Sequence, residues 1–293
     1  MKVLEYEKIV NFVASLCREA AVFLDPKTEE MLRLAAEKAS KPRSGEAAEG
    51  ASCVLEEYVL KKLLENAEIA REKNVPLCQD TGTAVFFVEM GTEVSIEGGT
   101  IYDALEEGTA KGYREGYLRK SIVKDPLFDR SNTGDNTPSV VHLSLRPGED
   151  LTLMVLLKGA GSENMGRTAM LTPGDGIEGV IDFVVQTVVA AGGNPCPPTV
   201  VGVGVGGNFE LAPFLAKKAL TRPLGEANFD PRYAELEGEI LDRLNRSGIG
   251  PAGLGGGTTA FAVHIESAPC HIASLPVAVN LNCHAVRHGK VVL

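Results

Sequence analysis

Apolar side chains return at helical spacing from the start of the chain. Over 5–24, Ile9, Val10, Phe12, Val13, Leu16, Ala20, Phe23 and Leu24 repeat at helical spacing, which predicts a helix. Asp25-Pro26 reads as an N-cap followed by proline at the first helical position, opening a second helix to about Ser40. Beyond the polar link KPRSGE, a third helical pattern over 45–72 places Val54, Leu55, Val59, Leu60, Leu63 and Leu64 together. The N-terminal quarter is therefore expected to be helical throughout.

The period changes after Asn74. Ala84-Val-Phe-Phe-Val88 is β-branched and aromatic, as a buried strand requires. Gly98-Gly99 turns the chain into a helix over 101–117, and the runs 140–145 and 151–157 flank Arg146-Pro-Gly-Glu-Asp150, a hairpin signal. Thr172-Pro173 opens a helix over 177–191. A strand at 199–207, helices at 209–220 and 231–246, and strands at 258–265, 275–281 and 284–293 complete the pattern. The expected class is mixed α/β: a helical segment, 1–73, followed by a core, 74–293, of mixed β-sheets flanked by helices, forming one catalytic domain over 1–293.

Composition narrows the partners. The 44% hydrophobic and 23% charged residues suit a globular core, and no run approaches the ~18 apolar residues of a membrane span. The opening residues mix acids with bases rather than forming a leader, so a cytoplasmic protein without a membrane partner is expected. A net charge of −10 argues against a nucleic-acid face. An anionic substrate would need local cations, and Arg119, Lys120 and Lys124 supply a cluster. The six cysteines are too few for a disulfide scaffold and are expected as reduced thiols. Cys17 and Cys53 lie in apolar helical patterns and are expected to be buried as small hydrophobes.

Other cysteines keep different company. Cys78 stands in Val75-Pro-Leu-Cys-Gln-Asp-Thr-Gly-Thr83, where a thiol, an amide, a carboxylate and hydroxyls crowd what is otherwise a connector. Cys196 lies between prolines just past a helix end, in a stiff loop. Lys158-Gly-Ala-Gly-Ser-Glu-Asn164 offers close backbone approach to a ligand without the ending of a nucleotide P-loop. Gly202, Gly204 and Gly207 fit a dinucleotide fingerprint, yet the second strand and its acid are missing about 20 residues on. Cys78, Cys196 and either Cys270 or Cys283 occupy separate loops, too dispersed for a zinc knuckle. Three converging thiolates suit an iron–sulfur cluster with one iron lacking a protein ligand, an open Lewis acid.

Six segments together, PLCQDTGT (76–83), LRKSIVKDPL (118–127), SNTGDNTP (131–138), KGAGSEN (158–164), GGNPCPP (192–198) and NLNCHAVRH (280–288), resemble the alpha subunit, or N-terminal region, of the class I fumarase and tartrate dehydratase family of iron–sulfur hydro-lyases. The resemblance covers nearly the whole chain. It implies Cys78, Cys196 and Cys283 as ligands of a 4Fe–4S cluster, passing over Cys270. It implies Asp80 and His271 as catalytic, with Asp80 the acid beside the departing hydroxyl, and Gln79, Arg119 and Gly161 as substrate contacts. Lys158 and Arg287 are further candidates for anion contacts, while His142, His264, His284 and His288 are read as structural.

Family members with both domains in one chain continue past the cysteine–histidine segment into a smaller domain, so the resemblance also implies a separate beta subunit that supplies the base, with two alpha and two beta subunits in the complex. The implied substrate is a four-carbon dicarboxylate. Fumarate with L-malate is the first choice, L(+)-tartrate giving oxaloacetate the second, and a non-catalytic iron–sulfur or dinucleotide-binding protein the alternative of another class.

Overall fold

A computed structural model describes residues 1–41 and 50–293, with the side chains of 50–53 excepted. The beginning of the third predicted helix and the side chain of Cys53 lie outside the described residues. In chain order the elements are β1 (Lys2–Glu5), α1 (Tyr6–Val22), α2 (Pro26–Ala39), α3 (Gly50–Lys73), β2 (Thr83–Gly91), β3 (Val94–Glu97), α4 (Ile101–Glu115), β4 (Val140–Arg146), β5 (Leu151–Lys158), α5 (Ala160–Glu163), β6 (Arg167–Leu171), α6 (Gly176–Ala191), β7 (Thr199–Gly206), α7 (Leu211–Ala219), α8 (Pro231–Asn245), β8 (Ala260–Ala268), β9 (Leu275–Asn282) and β10 (His288–Val292). The class is mixed α/β, as the periodicity predicts. The N-terminal quarter is not wholly helical, because Lys2–Glu5 pairs in parallel with Val94–Glu97.

The chain forms two compact units, each discontinuous in sequence. The first comprises Met1–Asp25, Ala67–Ala160 and Arg287–Leu293, and the second Pro26–Asn66 and Gly161–Val286.

In the first unit a four-stranded sheet runs in the order β10-β5-β2-β4. Period-two alternation puts Ala84, Phe86 and Val88 of β2 and Leu153, Val155 and Leu157 of β5 into one core with α1 and α4. Gly108 lets α1 and α4 close on each other, since a Cβ there would stand 2.5 Å from the Val13 Cβ. Cys17 is fully buried in this core, and desolvation pushes its thiol up to about 12.

The expected hairpin between 140–145 and 151–157 does not form. Both segments are strands, but β2 lies between them, parallel to β4 and antiparallel to β5. The two interior positions go to the apolar strands β2 and β5, and the more exposed β4 takes an edge. The Arg146–Asp150 turn instead wraps the end of β2, with Asp150 O accepting from Gly91 N–H at 2.8 Å and Arg146 O from Thr92 N–H at 2.8 Å.

The second unit is built on the order β6-β9-β7-β8. The sequence Val201-Gly-Val-Gly-Val205 gives β7 two different faces. Its valines enter a core with Val180, Val184 and Val188 of α6 and Ile240 and Leu244 of α8. Its glycines face α7, where a Cβ on Gly202 would stand 2.1 Å from Ala216 O and one on Gly204 2.0 Å from Ala212 O. These glycines are spent on close helix–sheet packing. That removes the physical reason for the dinucleotide reading.

Two outcomes test this packing. Gly204→Ala is expected to lower stability by about 3 kcal/mol through overpacking, measured by urea unfolding. His288, whose Nδ1 is buried without a partner, has its pKa lowered from 6.5 chiefly by burial, against an opposing pull from Asp25. The unfolded chain therefore binds this proton more readily than the folded one, and the stability His288 contributes is lost as pH falls through 6.5. The urea midpoint should drop less between pH 7.5 and 5.5 in His288→Gln than in the unsubstituted chain.

Candidate active site

The site candidates of the first unit gather on the loop between α3 and β2. Leu77 anchors it, buried and donating its N–H to Ala21 O at 2.9 Å, after which Cys78 and Gln79 turn out to solvent. Asp80 is half-buried. Its Oδ1 accepts from Gly82 N–H at 3.1 Å and its Oδ2 from Ala160 N–H at 2.7 Å, while Arg287 Nη1 donates to its carbonyl oxygen. The Gly82 contact is an Asx turn, and each carboxylate oxygen retains a lone pair for a reacting group.

Thr81 and Gly82 tie this loop to three other segments. Thr81 Oγ1 donates to Arg119 O at 2.8 Å, which places the start of the basic loop beside Asp80. Tyr113 donates its hydroxyl to Gly82 O at 2.8 Å, and burial drives its pKa upward. Asn136, also fully buried, donates to Gly82 O at 3.1 Å and accepts from Ser121 N–H at 2.7 Å. Gly82 has φ +81, and a Cβ would meet the Lys158 carbonyl carbon at 2.6 Å, so glycine is required. Lys158 is buried, whereas Arg119 is exposed. Among the described residues none of Arg119, Lys120 and Lys124 forms an ion pair. Tyr113 and Asn136 were not singled out from sequence. Asn136 sits in a run of turn formers that signals only a polar loop, and Tyr113 looks like an ordinary helix residue.

In the second unit, α6 ends at Gly192 and the chain reverses through Cys196, whose φ of +56 is followed by a cis Pro197–Pro198 bond. Cys196 O accepts from His284 N–H at 3.3 Å and from His284 Nδ1 at 3.0 Å, so the neutral His284 ring carries its proton on Nδ1. This joins the Cys196 turn to the residue after Cys283. Cys196 is exposed, Cys283 is half-buried, and neither is in a disulfide. Asn282, next to Cys283, is buried with its Nδ2 lacking a partner. Gly161 packs on the same segment, where a Cβ would stand 3.1 Å from Asn194 O. Glu163 accepts from Asn280 Nδ2 at 3.1 Å and pairs with Lys217.

His271 is placed elsewhere. It lies in the loop entering β9, whereas Cys283 follows the last residue of that strand, and eight residues of strand rise about 26 Å. Its Nδ1 accepts from Ala273 N–H at 3.1 Å, leaving the neutral ring's proton on Nε2. With Cys270 it lines a largely apolar cavity of about 430 Å³ against Ile177, Val180, Tyr233 and Leu236. Among the described residues no group of three or more His, Cys, Asp or Glu side chains is arranged to hold a metal ion. No helix among them is long and apolar enough to cross a membrane.

Native thiol labelling read by peptide mass mapping should modify Cys78, Cys196 and Cys270 rapidly, and Cys17 only after unfolding, because thiolate formation and access are both denied to a buried thiol.

Comparison with known proteins gives consistent results. A family model described as fumarate hydratase (Fumerase) matches residues 10–292. A protein of Methanocaldococcus jannaschii, provisionally named L(+)-tartrate dehydratase subunit alpha, is 42% identical over 286 residues, covering 96% of each chain. The L(+)-tartrate dehydratase subunit alpha of Escherichia coli strain UTI89 is 39% identical over 236 residues, covering 78% of this chain and 76% of its own. That of strain K12 is 38% identical over 238 residues, covering 79% and 77%.

Proposed function

The chain belongs to the fumarate hydratase family, and from that premise we propose that it is the alpha subunit of a 4Fe–4S hydro-lyase acting on a four-carbon diacid. Fumarate with L-malate is the first reading of the substrate, following the family's description. L(+)-tartrate giving oxaloacetate is the second, favoured by the names of the relatives. Both substrates present a hydroxyl and two carboxylates.

The observation that carries the reading is the held carboxylate of Asp80 in a loop that also offers Cys78 and adjoins Arg119. Elimination of water needs a proton for the departing hydroxyl, a base for the carbon-bound proton and cations for two carboxylates. Asp80 delivers the proton, its direction set by the Gly82 and Ala160 amides. Arg119 presents a planar fork suited to a carboxylate, and Gln79 adds exposed amide donors. Gly161 admits close backbone approach. The base is assigned to a beta subunit, the counterpart expected of a chain whose relatives are named alpha subunits.

The donor set fits the cluster in kind. Cys78, Cys196 and Cys283 would hold it: none is disulfide-bonded, Cys78 and Cys196 are exposed, and the Cys196 and Cys283 segments are joined through His284. The unpartnered Asn282 amide beside Cys283 is a donor available to a cluster sulfide or thiolate. When bound, such a cluster supplies Lewis acidity toward the hydroxyl and one carboxylate. His271 is given no step, since on this chain it stands at the opposite end of β9 from Cys283.

The test is an oxygen-free assay of this chain with and without its beta subunit, using fumarate, L-malate and both tartrate enantiomers. Turnover is expected only in the complex and is expected to disappear in air. Activity of the cluster-loaded chain alone sinks the two-subunit reading, and the preferred diacid decides between the two substrates. Asp80→Asn should lower kcat by about 10²- to 10⁴-fold. Iron counting should show Cys283→Ser losing the cluster and Cys270→Ser keeping it.

A further inference from the structure

Arg287 is a fully charged side chain in an unusual position. Only 2% of it is exposed, and its backbone is fixed because its carbonyl accepts from Leu157 N–H at 2.9 Å. Its guanidinium reaches the Asp80 carbonyl oxygen through Nη1, while Nε is buried without a partner. Among the described residues it forms no ion pair with any carboxylate. A buried guanidinium that forms no direct ion pair is costly to desolvate, so what its hydrogen bonds hold in place matters.

Gly159 points to that reason. A Cβ there would stand 3.0 Å from Arg287 Nη2 and 3.2 Å from Asp80 Oδ2, so a side chain at 159 would press on both the guanidinium and the carboxylate. Arg287 takes the carbonyl of Asp80, while the Gly82 and Ala160 amides take its two carboxylate oxygens. Three contacts on one residue fix both its peptide plane and its side-chain direction. The bond to the carbonyl orients the Asp80 peptide and leaves its two carboxylate oxygens to the backbone amides.

We propose that Arg287 is a positioning residue for Asp80, holding the peptide from behind through its guanidinium, with Gly159 keeping the space between the two groups clear. This rests on the reading of Asp80 as the proton-delivering acid. It departs from an anion-contact role for Arg287, which would show in substrate binding.

The experiment compares Arg287→Gln, Arg287→Lys, Gly159→Ala and Asp80→Asn in the complete, anaerobically loaded two-subunit complex. Arg287→Gln should lower kcat about 10- to 100-fold with KM within about twofold and iron content unchanged. Lysine should restore part of kcat, and Gly159→Ala should reproduce the loss should the Arg287 variants fail to fold. In an Asp80→Asn background, Arg287→Gln should cost less than about a further twofold, because the two act through one group. In the iron-free chain, hydrogen exchange at the Ala160 amide should quicken at least about fivefold in Arg287→Gln. A raised KM with kcat intact, a fully multiplicative loss in the Asp80→Asn background, or unchanged Ala160 exchange overturns the positioning role. Undiminished activity of Asp80→Asn overturns the acid assignment itself and this proposal with it, whereas a loss in Asp80→Asn with none in Arg287→Gln or Gly159→Ala overturns the positioning role alone.

Discussion

The candidate site of the first unit depends on how the backbone carbonyls of Asp80, Thr81 and Gly82 are satisfied. A loop that enters the protein at this depth has no ladder to bond its peptides, and a buried carbonyl left open costs about 1–3 kcal/mol. The chain answers with side chains from distant segments: the Tyr113 hydroxyl, the Asn136 amide and the Arg287 guanidinium. Each donor is itself buried and so is fixed by its own packing. The consequence runs outward. Because the carbonyls are held, Asp80 and Cys78 project from a rigid base, and Thr81 draws Arg119 to the same place.

The second unit solves a related problem at the end of a sheet. A thiol offered to a ligand must leave regular structure, yet the turn that carries it must not be loose. Cys196 meets both demands through its left-handed conformation, the proline on either side and the carbonyl bonds from His284. Behind it, the alternation of valine and glycine in β7 lets α7 pack at nearly backbone contact while α6 and α8 share the valine face. The same glycines that fit part of a dinucleotide fingerprint serve close helix–sheet packing.

How much of this was legible in sequence followed the range of the forces involved. Helices α1, α2, α4, α6 and α8 and strands β2, β7 and β9 were read because their periodicity is local. The burial of Cys17 followed from the same pattern. The relation of β4 to β5 was misread because turn chemistry reports only that a chain reverses, whereas both strands pair with β2, some 50 residues earlier in the chain. β1 was missed since four residues carry too little period, and its partner β3 is non-local. At the site, residues bearing unusual chemistry in a loop, Cys78 and Asp80 above all, were visible. Asn136 and Tyr113 were not, because hydrogen bonding to a carbonyl 31 to 54 residues away leaves no mark on the neighbouring sequence.

Charge gives the last constraint on what this site can take. A chain of net −10 repels anions at long range, so the diacid proposed as substrate would have to be recognised locally. Near Asp80 the loop after α4 arranges its charges unequally. Asp125 turns its carboxylate onto the Phe128 and Leu127 amides, which lower its pKa, and Asp129 bonds Ser131. Those acids are satisfied by backbone and hydroxyl donors within the loop and do not neutralise Arg119, Lys120 or Lys124. Separating anions from cations in this way costs little at an exposed surface, where an ion pair is worth about 0–1 kcal/mol. It leaves the exposed Arg119 guanidinium without an ion pair, as the proposed contact with a substrate carboxylate requires.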